Sequence, residues 1–193
     1  MEFKDLVKER RSCRAYEEQG LGEDDLSAIL DAGRWAPNPL NLQPWEFIVI
    51  TERETKRQIK GVAEEAKKKV IENGGPGWVN KYDMGFLEQA PVLVAVLYDP
   101  KRSGLGAFFG QEYGALQAAS ACIQNMMLCA ADMGYGSLWF TWFEPQRLKE
   151  TLNIPEDREI AGVIPIGRPS GQSKPPPRKD TRVYRNKYGE EGA

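Results

Sequence analysis

A chain of 193 residues falls within the range of one domain and is long enough to bury a proper core. Its 41% hydrophobic and 28% charged residues are ordinary for a globular protein, and a net charge of −2 leaves no general field drawing it to nucleic acid or an anionic membrane. The absence of histidine excludes Ser-His-Asp and Cys-His nucleophilic chemistry and removes the commonest zinc ligand.

The three cysteines, Cys13, Cys122 and Cys129, are an odd number without metal-binding spacing, which argues against a secreted disulfide scaffold and a metal centre alike. Glu2, Lys4 and Asp5 interrupt any apolar N-terminal run, so no signal peptide is expected and the cytoplasm is the expected location. Catalysis, if there is any, is expected to rest on an organic cofactor.

Phe3, Leu6 and Val7 predict a short amphipathic helix that runs out into Arg10-Arg11-Ser12-Cys13-Arg14. Glu23, Asp24 and Asp25 suit the start of a second helix, with Leu26, Ile29, Leu30 and Gly33 as its buried stripe and Pro37 as its stop. Trp45, Phe47 and Val49 alternate as a strand. Residues 53–72 form a charged helix with Ile59, Val62, Ala66 and Val70 inward, broken by Gly74-Gly75-Pro76-Gly77. The apolar run at 91–98 predicts a central strand buried on both faces. A glycine-rich loop, a long helix over 111–133, a strand over 137–142, a short helix over 145–152 and a strand from Ile160 to Ile166 complete one α+β domain over 1–168. The polar side chains Gln111, Glu112, Gln117, Gln124 and Asn125 show that the long helix is not a membrane span. From 169 to 193 the chain is basic and proline-rich; Val183, Tyr184 and Tyr188 suggest that it lies along a surface already made.

Three places could carry chemistry, and a fourth only imitates one. Arg10, Ser12 and Arg14 are spaced by two, so in an extended segment they face one side and suit a phosphate. Between Ala36 and Trp45, the amides of Asn38, Asn41 and Gln43 lie among Pro37, Pro39 and Pro44, a stiffened loop that suits the edge of a flat heterocycle such as a flavin. Trp139-Phe140-Thr141-Trp142 ends an apolar strand and turns into a helix at Glu144-Pro145, where backbone N–H groups are free for an acceptor. Gly104-Leu105-Gly106-Ala107-Phe108-Phe109-Gly110 imitates a dinucleotide fingerprint, but its third glycine is one position late and no acidic residue follows in the required context.

Taken together, these residues resemble the FMN-dependent nitroreductase family over nearly the whole chain. The resemblance rests on Arg10-Arg11-Ser12-Cys13-Arg14-Ala15-Tyr16, on Ala36 to Trp45, on Gln89-Ala90-Pro91, on Met133 to Trp139, on Ile164-Pro165-Ile166-Gly167 and on Arg178 in the tail. Each motif alone is weak, and their order is specific.

The resemblance implies a three-layer fold with a mixed central sheet and an intertwined homodimer, in which 169–193 wraps the partner and the small-residue helix, with Ala115, Ala118, Ala119 and Ala121, packs in the dimer core. It implies that Arg10, Arg11, Ser12 and Arg14 hold FMN, with Arg178 on its phosphate and Asn38, Pro39 and Asn41 reaching in from the other subunit. Backbone at Phe140, Thr141 and Trp142 would face the flavin, with the Thr141 hydroxyl near N5. Trp78, Tyr82, Phe108 and Phe109 are candidates for an aromatic lid over the substrate. The implied activity takes hydride from NAD(P)H and reduces a nitroaromatic, quinone or similar acceptor by a ping-pong mechanism, with no side-chain acid required. Asn38 in place of the usual serine, Thr141-Trp142 in place of a small pair, and Lys174-Pro-Pro-Pro-Arg178 in place of a closer basic pair are departures. They keep open a dehalogenase-like reductase or a non-catalytic electron-relay protein of the same fold.

Overall fold

Val92–Tyr98, Val-Leu-Val-Ala-Val-Leu-Tyr, runs through the middle of a computed structural model that describes residues 2–171 and 177–189. Four strands, β1 (Trp45–Ile50), β2 (Val92–Tyr98), β3 (Gly136–Ser137) and β4 (Glu159–Gly167), form a sheet in the order β1-β2-β4-β3. Along β2 the side chains alternate by the two-residue period of a strand. Leu93, Ala95 and Leu97 enter one apolar cluster, and Val92, Val94 and Val96 enter another on the opposite face. An unbroken apolar run is the consequence of burial on both sides.

The first face is covered by α3 (Arg53–Glu72), α4 (Phe86–Gln89) and α6 (Pro145–Leu152), which bring Ile59, Val62, Phe86, Leu87 and Leu148 onto the sheet. The second is covered by α2 (Glu23–Arg34) and α5 (Gly114–Asp132). Gly33 lets these two helices approach closely: a Cβ there would lie 2.8 Å from Cys122 Sγ and 2.8 Å from Met126 Cγ. A short N-terminal helix, α1 (Phe3–Glu9), rests on α5. Ala115, Ala118 and Ala119 of α5 are buried within the chain itself, so their small size already serves the α2–α5 and α5–sheet contacts.

Three expectations change. Among the described residues the pairings of the named strands are all antiparallel, and the parallel component of the sheet is one bridge between Ser12 and Ser137. The strand expected over 137–142 is regular only at Gly136–Ser137 and returns as one bridge between Phe140 and Val163. Pro165 explains the gap: the Leu138 N–H reaches the Pro165 carbonyl at 3.3 Å, but proline has no N–H to complete the exchange. The register shift between Val96 and Leu97 leaves Ala161 as an extra residue on β4, and its carbonyl accepts the Trp139 indole N–H at 3.0 Å. The long helix starts at Gly114, and α4 is a short helix that the apolar pattern did not announce. No helix among the described residues is long and apolar enough to cross a membrane.

Candidate functional site

Beyond α1 the backbone at Arg10 turns extended, and the segment is laid against the sheet edge by the Ser12–Ser137 bridge. Cys13 N–H donates to the Ser137 carbonyl at 2.9 Å, and the Tyr16 hydroxyl donates to the carbonyls of Cys13 at 3.0 Å and Pro165 at 3.3 Å. Burial pushes the Tyr16 phenol far above its ordinary range, so it stays a donor. Gly136 is required at this contact, because a Cβ would fall 2.7 Å from Cys13 Cβ.

This pinned segment forms one wall of a cavity of about 700 Å³ that Arg10, Arg11 and Ser12 line together with Tyr135, Gly136 and Ser137. Arg10 Nη1, Arg11 Nε, Ser137 Oγ and Arg168 Nε are buried without a hydrogen-bond partner among the described residues. The Arg10 guanidinium is pulled below its ordinary pKa, first by burial and then by the positive charges of Arg11 and Arg178. Arginines do not crowd in this way without cost. An anion of several oxygens would relieve the repulsion and satisfy the orphan donors together. Arg178, from the tail, adds its positive charge to the field on Arg10. Lys174, Pro175 and Pro176 lie outside the described residues.

Two residues further on, Arg14 leaves the cavity wall and meets an aromatic group. Its Nε donates to the Tyr82 hydroxyl at 2.7 Å, with the guanidinium carbon 5.6 Å from the centre of the Tyr82 ring. Tyr82 lies 5.3 Å from Trp142 and 6.1 Å from Trp78, centre to centre, and Trp78 lies 6.0 Å from Trp142. Four candidates from distant parts of the chain thus meet. Thr141 is exposed beside them, and among the described residues neither its N–H nor that of Trp142 has a backbone partner. Phe140 differs from the expectation of free backbone: its N–H and carbonyl are both engaged by Val163, at 3.0 and 2.9 Å, and its ring is in the core.

Asn38, Pro39 and Asn41 do not line the Arg10 cavity. Asn38 is turned onto its own loop, accepting from the Gln43 N–H at 2.8 Å and donating to the Ala36 carbonyl at 3.2 Å. That brace holds three left-handed residues, Leu40, Asn41 and Gln43. Pro39 packs against Gly104, where a Cβ would lie 2.5 Å from Pro39 Cβ. Phe108 and Phe109 are 84% and 82% exposed. They sit on the segment that touches this loop and the start of α5, not with Trp78 and Tyr82. With Leu40, Leu105 and Tyr113 they make an exposed apolar surface.

Sequence reading assigns no role to two residues whose buried polar atoms lack partners among the described residues, Ser137 and Arg168. Ser137 was read as part of a strand, though it lies within a motif already noted. Arg168 stands as the last residue of the expected domain with no site role, yet its guanidinium stacks 5.1 Å from the Tyr135 ring, and Tyr135 in turn hydrogen-bonds Asp25. The change of composition just after Arg168 is the available signal.

The sequence model of the Nitroreductase family matches residues 7–168. A protein of Archaeoglobus fulgidus, whose name gives NADH dehydrogenase/NAD(P)H nitroreductase, is 28% identical over 172 residues, covering 86% of this chain and 85% of its own length. An iodotyrosine deiodinase of Thermotoga neapolitana is 25% identical over 191 residues, covering 95% of this chain and 97% of its own. The crystal structure of an oxidized iodotyrosine deiodinase bound to FMN and 3-iodo-L-tyrosine superposes with a TM-score of 0.83 at 23% identity, over 96% of this chain and 99% of that one. That structure shares the fold, and the matched segment reaches from α1 through the end of β4, so the chain belongs to the Nitroreductase family.

Proposed function

We propose that this chain is an FMN-dependent NAD(P)H oxidoreductase, working as a homodimer, that reduces a nitroaromatic, a quinone or a similar acceptor by a ping-pong mechanism. The observation that carries the reading is the cavity at the end of α1, in which Arg10 Nη1, Arg11 Nε and Ser137 Oγ are buried without partners among the described residues. Guanidinium forks and a hydroxyl fit the terminal oxygens of a phosphate monoester. The volume is within the roughly 300–1,000 Å³ of cofactor pockets.

Bound there, FMN would supply the hydride chemistry, accepting from NAD(P)H and delivering to the acceptor. Arg10, Arg11, Ser12 and Arg178 hold the phosphate end. Arg14 reaches the pyrimidine edge of the ring and favours negative charge on it. The N–H groups of Thr141 and Trp142 face the ring as acceptor sites require. Trp78 and Tyr82 offer flat apolar faces against which an aromatic acceptor stacks at short transfer distance. Asn38, Pro39 and Asn41 serve the site of the other subunit, and Phe108 and Phe109 close over that site from the apolar surface that the dimer covers. The expected wrapping of the partner by 169–193 is proposed for the described part of the tail, 177–189; 172–176 and 190–193 lie outside the described residues.

Purified protein is expected to be yellow, and anaerobic mixing with NADH or NADPH is expected to bleach the flavin absorbance, which a nitroaromatic or quinone then restores. Initial rates against both substrates are expected to give parallel reciprocal lines. Colourless protein that binds no added FMN overturns the cofactor assignment; bound FMN that neither nicotinamide bleaches leaves an electron-relay protein. The exposed Thr141 hydroxyl and the deiodinase relative support a second reading, reductive dehalogenation. Halide release from halophenols in the absence of nitroaromatic turnover would select it.

A further inference from the structure

We propose that Tyr82 is a positioning residue that aims Arg14, so that the aromatic wall and the flavin-facing arginine act as one unit. The inference rests on the FMN reading above. Arg14 lies on the exposed side of its segment, and among the described residues its hydrogen bond is to the Tyr82 hydroxyl, at 2.7 Å. The bond uses Nε, the inner nitrogen of the guanidinium, which leaves both terminal nitrogens as a free fork. A fork held from behind is suited to a planar edge with adjacent acceptors, whereas a free arginine would lose side-chain freedom on binding it.

Tyr82 is itself fixed at several points. Lys67 Nζ donates to its carbonyl at 2.7 Å, and its N–H reaches the Val79 carbonyl at 3.1 Å. Its ring leans on Trp142, meets Trp78 edge-on and stands 6.3 Å from the buried Phe86 ring, nearly perpendicular to it. The anchoring therefore runs from the core through Phe86 to Tyr82 and on to Arg14. Tyr82 has a face toward the tryptophans and a hydroxyl toward the arginine, so an aromatic molecule resting against Trp78 and Trp142 bears on the group that aims Arg14.

The test is a double-mutant cycle on FMN affinity, read by quenching of flavin fluorescence, with no turnover needed. Tyr82→Phe keeps the ring and removes the hydroxyl. It is expected to weaken FMN binding about three- to tenfold, the range for one ordinary hydrogen bond, since the lost bond acts on FMN only through Arg14. Arg14→Gln is expected to weaken it further, and adding Tyr82→Phe to Arg14→Gln should change affinity less than about twofold, because a positioning residue has nothing left to position. The same silence is expected in an Arg14→Lys background, where the ammonium lacks the Nε tether. Equal weakening in all three backgrounds, or none in the wild type, overturns the proposal and leaves Tyr82 as packing. Wild-type protein that binds no FMN overturns the cofactor reading and this inference with it, and so is told apart from failure of the inference alone.

Discussion

Ser12 and Ser137 lie side by side in a parallel bridge, and the N–H of the next residue, Cys13, donates to the Ser137 carbonyl at 2.9 Å. The pairing joins two segments that lie more than a hundred residues apart and presents their side chains to one cavity. It also explains why Ser137 is buried with a hydroxyl that has no partner among the described residues: the backbone of the bridge, not the side chain, holds the residue in place.

Ser137→Ala should therefore separate binding from stability. Removing a hydroxyl that has no partner among the described residues costs the ligand-free fold nothing and can stabilise it, because an unsatisfied buried polar group is itself unfavourable. FMN affinity should fall about three- to tenfold through one lost hydrogen bond to the phosphate. Thermal melting of the ligand-free protein and a flavin titration measure the two effects; a loss of stability with unchanged affinity would make Ser137 structural.

Asn38→Ala should loosen the loop at 38–43 without disturbing the core. The substitution removes the bonds to Gln43 N–H and the Ala36 carbonyl that hold Leu40, Asn41 and Gln43 at positive φ. The expected loss of stability is about 1 kcal/mol. Amide exchange at 38–43 should rise more than elsewhere, as measured by hydrogen–deuterium exchange.

The contrast between these two sites explains what was legible in the sequence. Local period revealed the two faces of β2 and the inward stripes of α2 and α3, because burial repeats every two or three to four residues. The spacing of Arg10, Ser12 and Arg14 predicted one shared face, but consecutive residues from Arg10 to Cys13 line the cavity and Arg14 does not; the pattern of amides pointed to a stiff loop. Chain order could not reveal that Asn38 turns inward, since that follows from three left-handed neighbours that need a brace. Nor could it show that Pro165 would break the ladder opposite Leu138, because the partner of a strand is a tertiary fact. Phe108 and Phe109 have the residue types of a lid, but their place beside Leu40 rather than Tyr82 depends on how the glycine-rich loop meets α5.

Gly33→Ala should destabilise the chain although alanine favours a helix. Helix propensity returns about 1 kcal/mol. The new Cβ would meet Cys122 Sγ and Met126 Cγ at 2.8 Å, and overpacking of this kind costs about 1–3 kcal/mol. The cost wins because Cys122 and Met126 are both fully buried and have no room to retreat. A net loss of up to about 2 kcal/mol is expected in denaturant titration, and a stability gain would show that α2 can slide along α5.

Lys60 and Glu88 tie α3 to α4 by an ion pair of 2.7 Å whose side chains are 32% and 26% exposed. The hydrogen bond from Lys60 holds the Glu88 carboxyl below its ordinary 4.5, against burial, and the bond to Glu88 raises Lys60 above 10.5. As pH falls, the unfolded chain protonates its Glu88 before the folded chain does. The contribution is thus complete above about pH 4.5 and is lost as pH falls through the lower, folded value. On the lysine side it is complete below 10.5 and is lost only as pH rises through the folded value. Partial exposure limits the pair to about 0.5–1 kcal/mol. Lys60→Gln should lower stability by that amount at neutral pH, and the difference from wild type should shrink toward zero as Glu88 protonates. Urea titrations at neutral and acid pH measure both differences, and a gap that persists once the carboxyl is protonated would assign the contact to packing of the lysine stem rather than to charge.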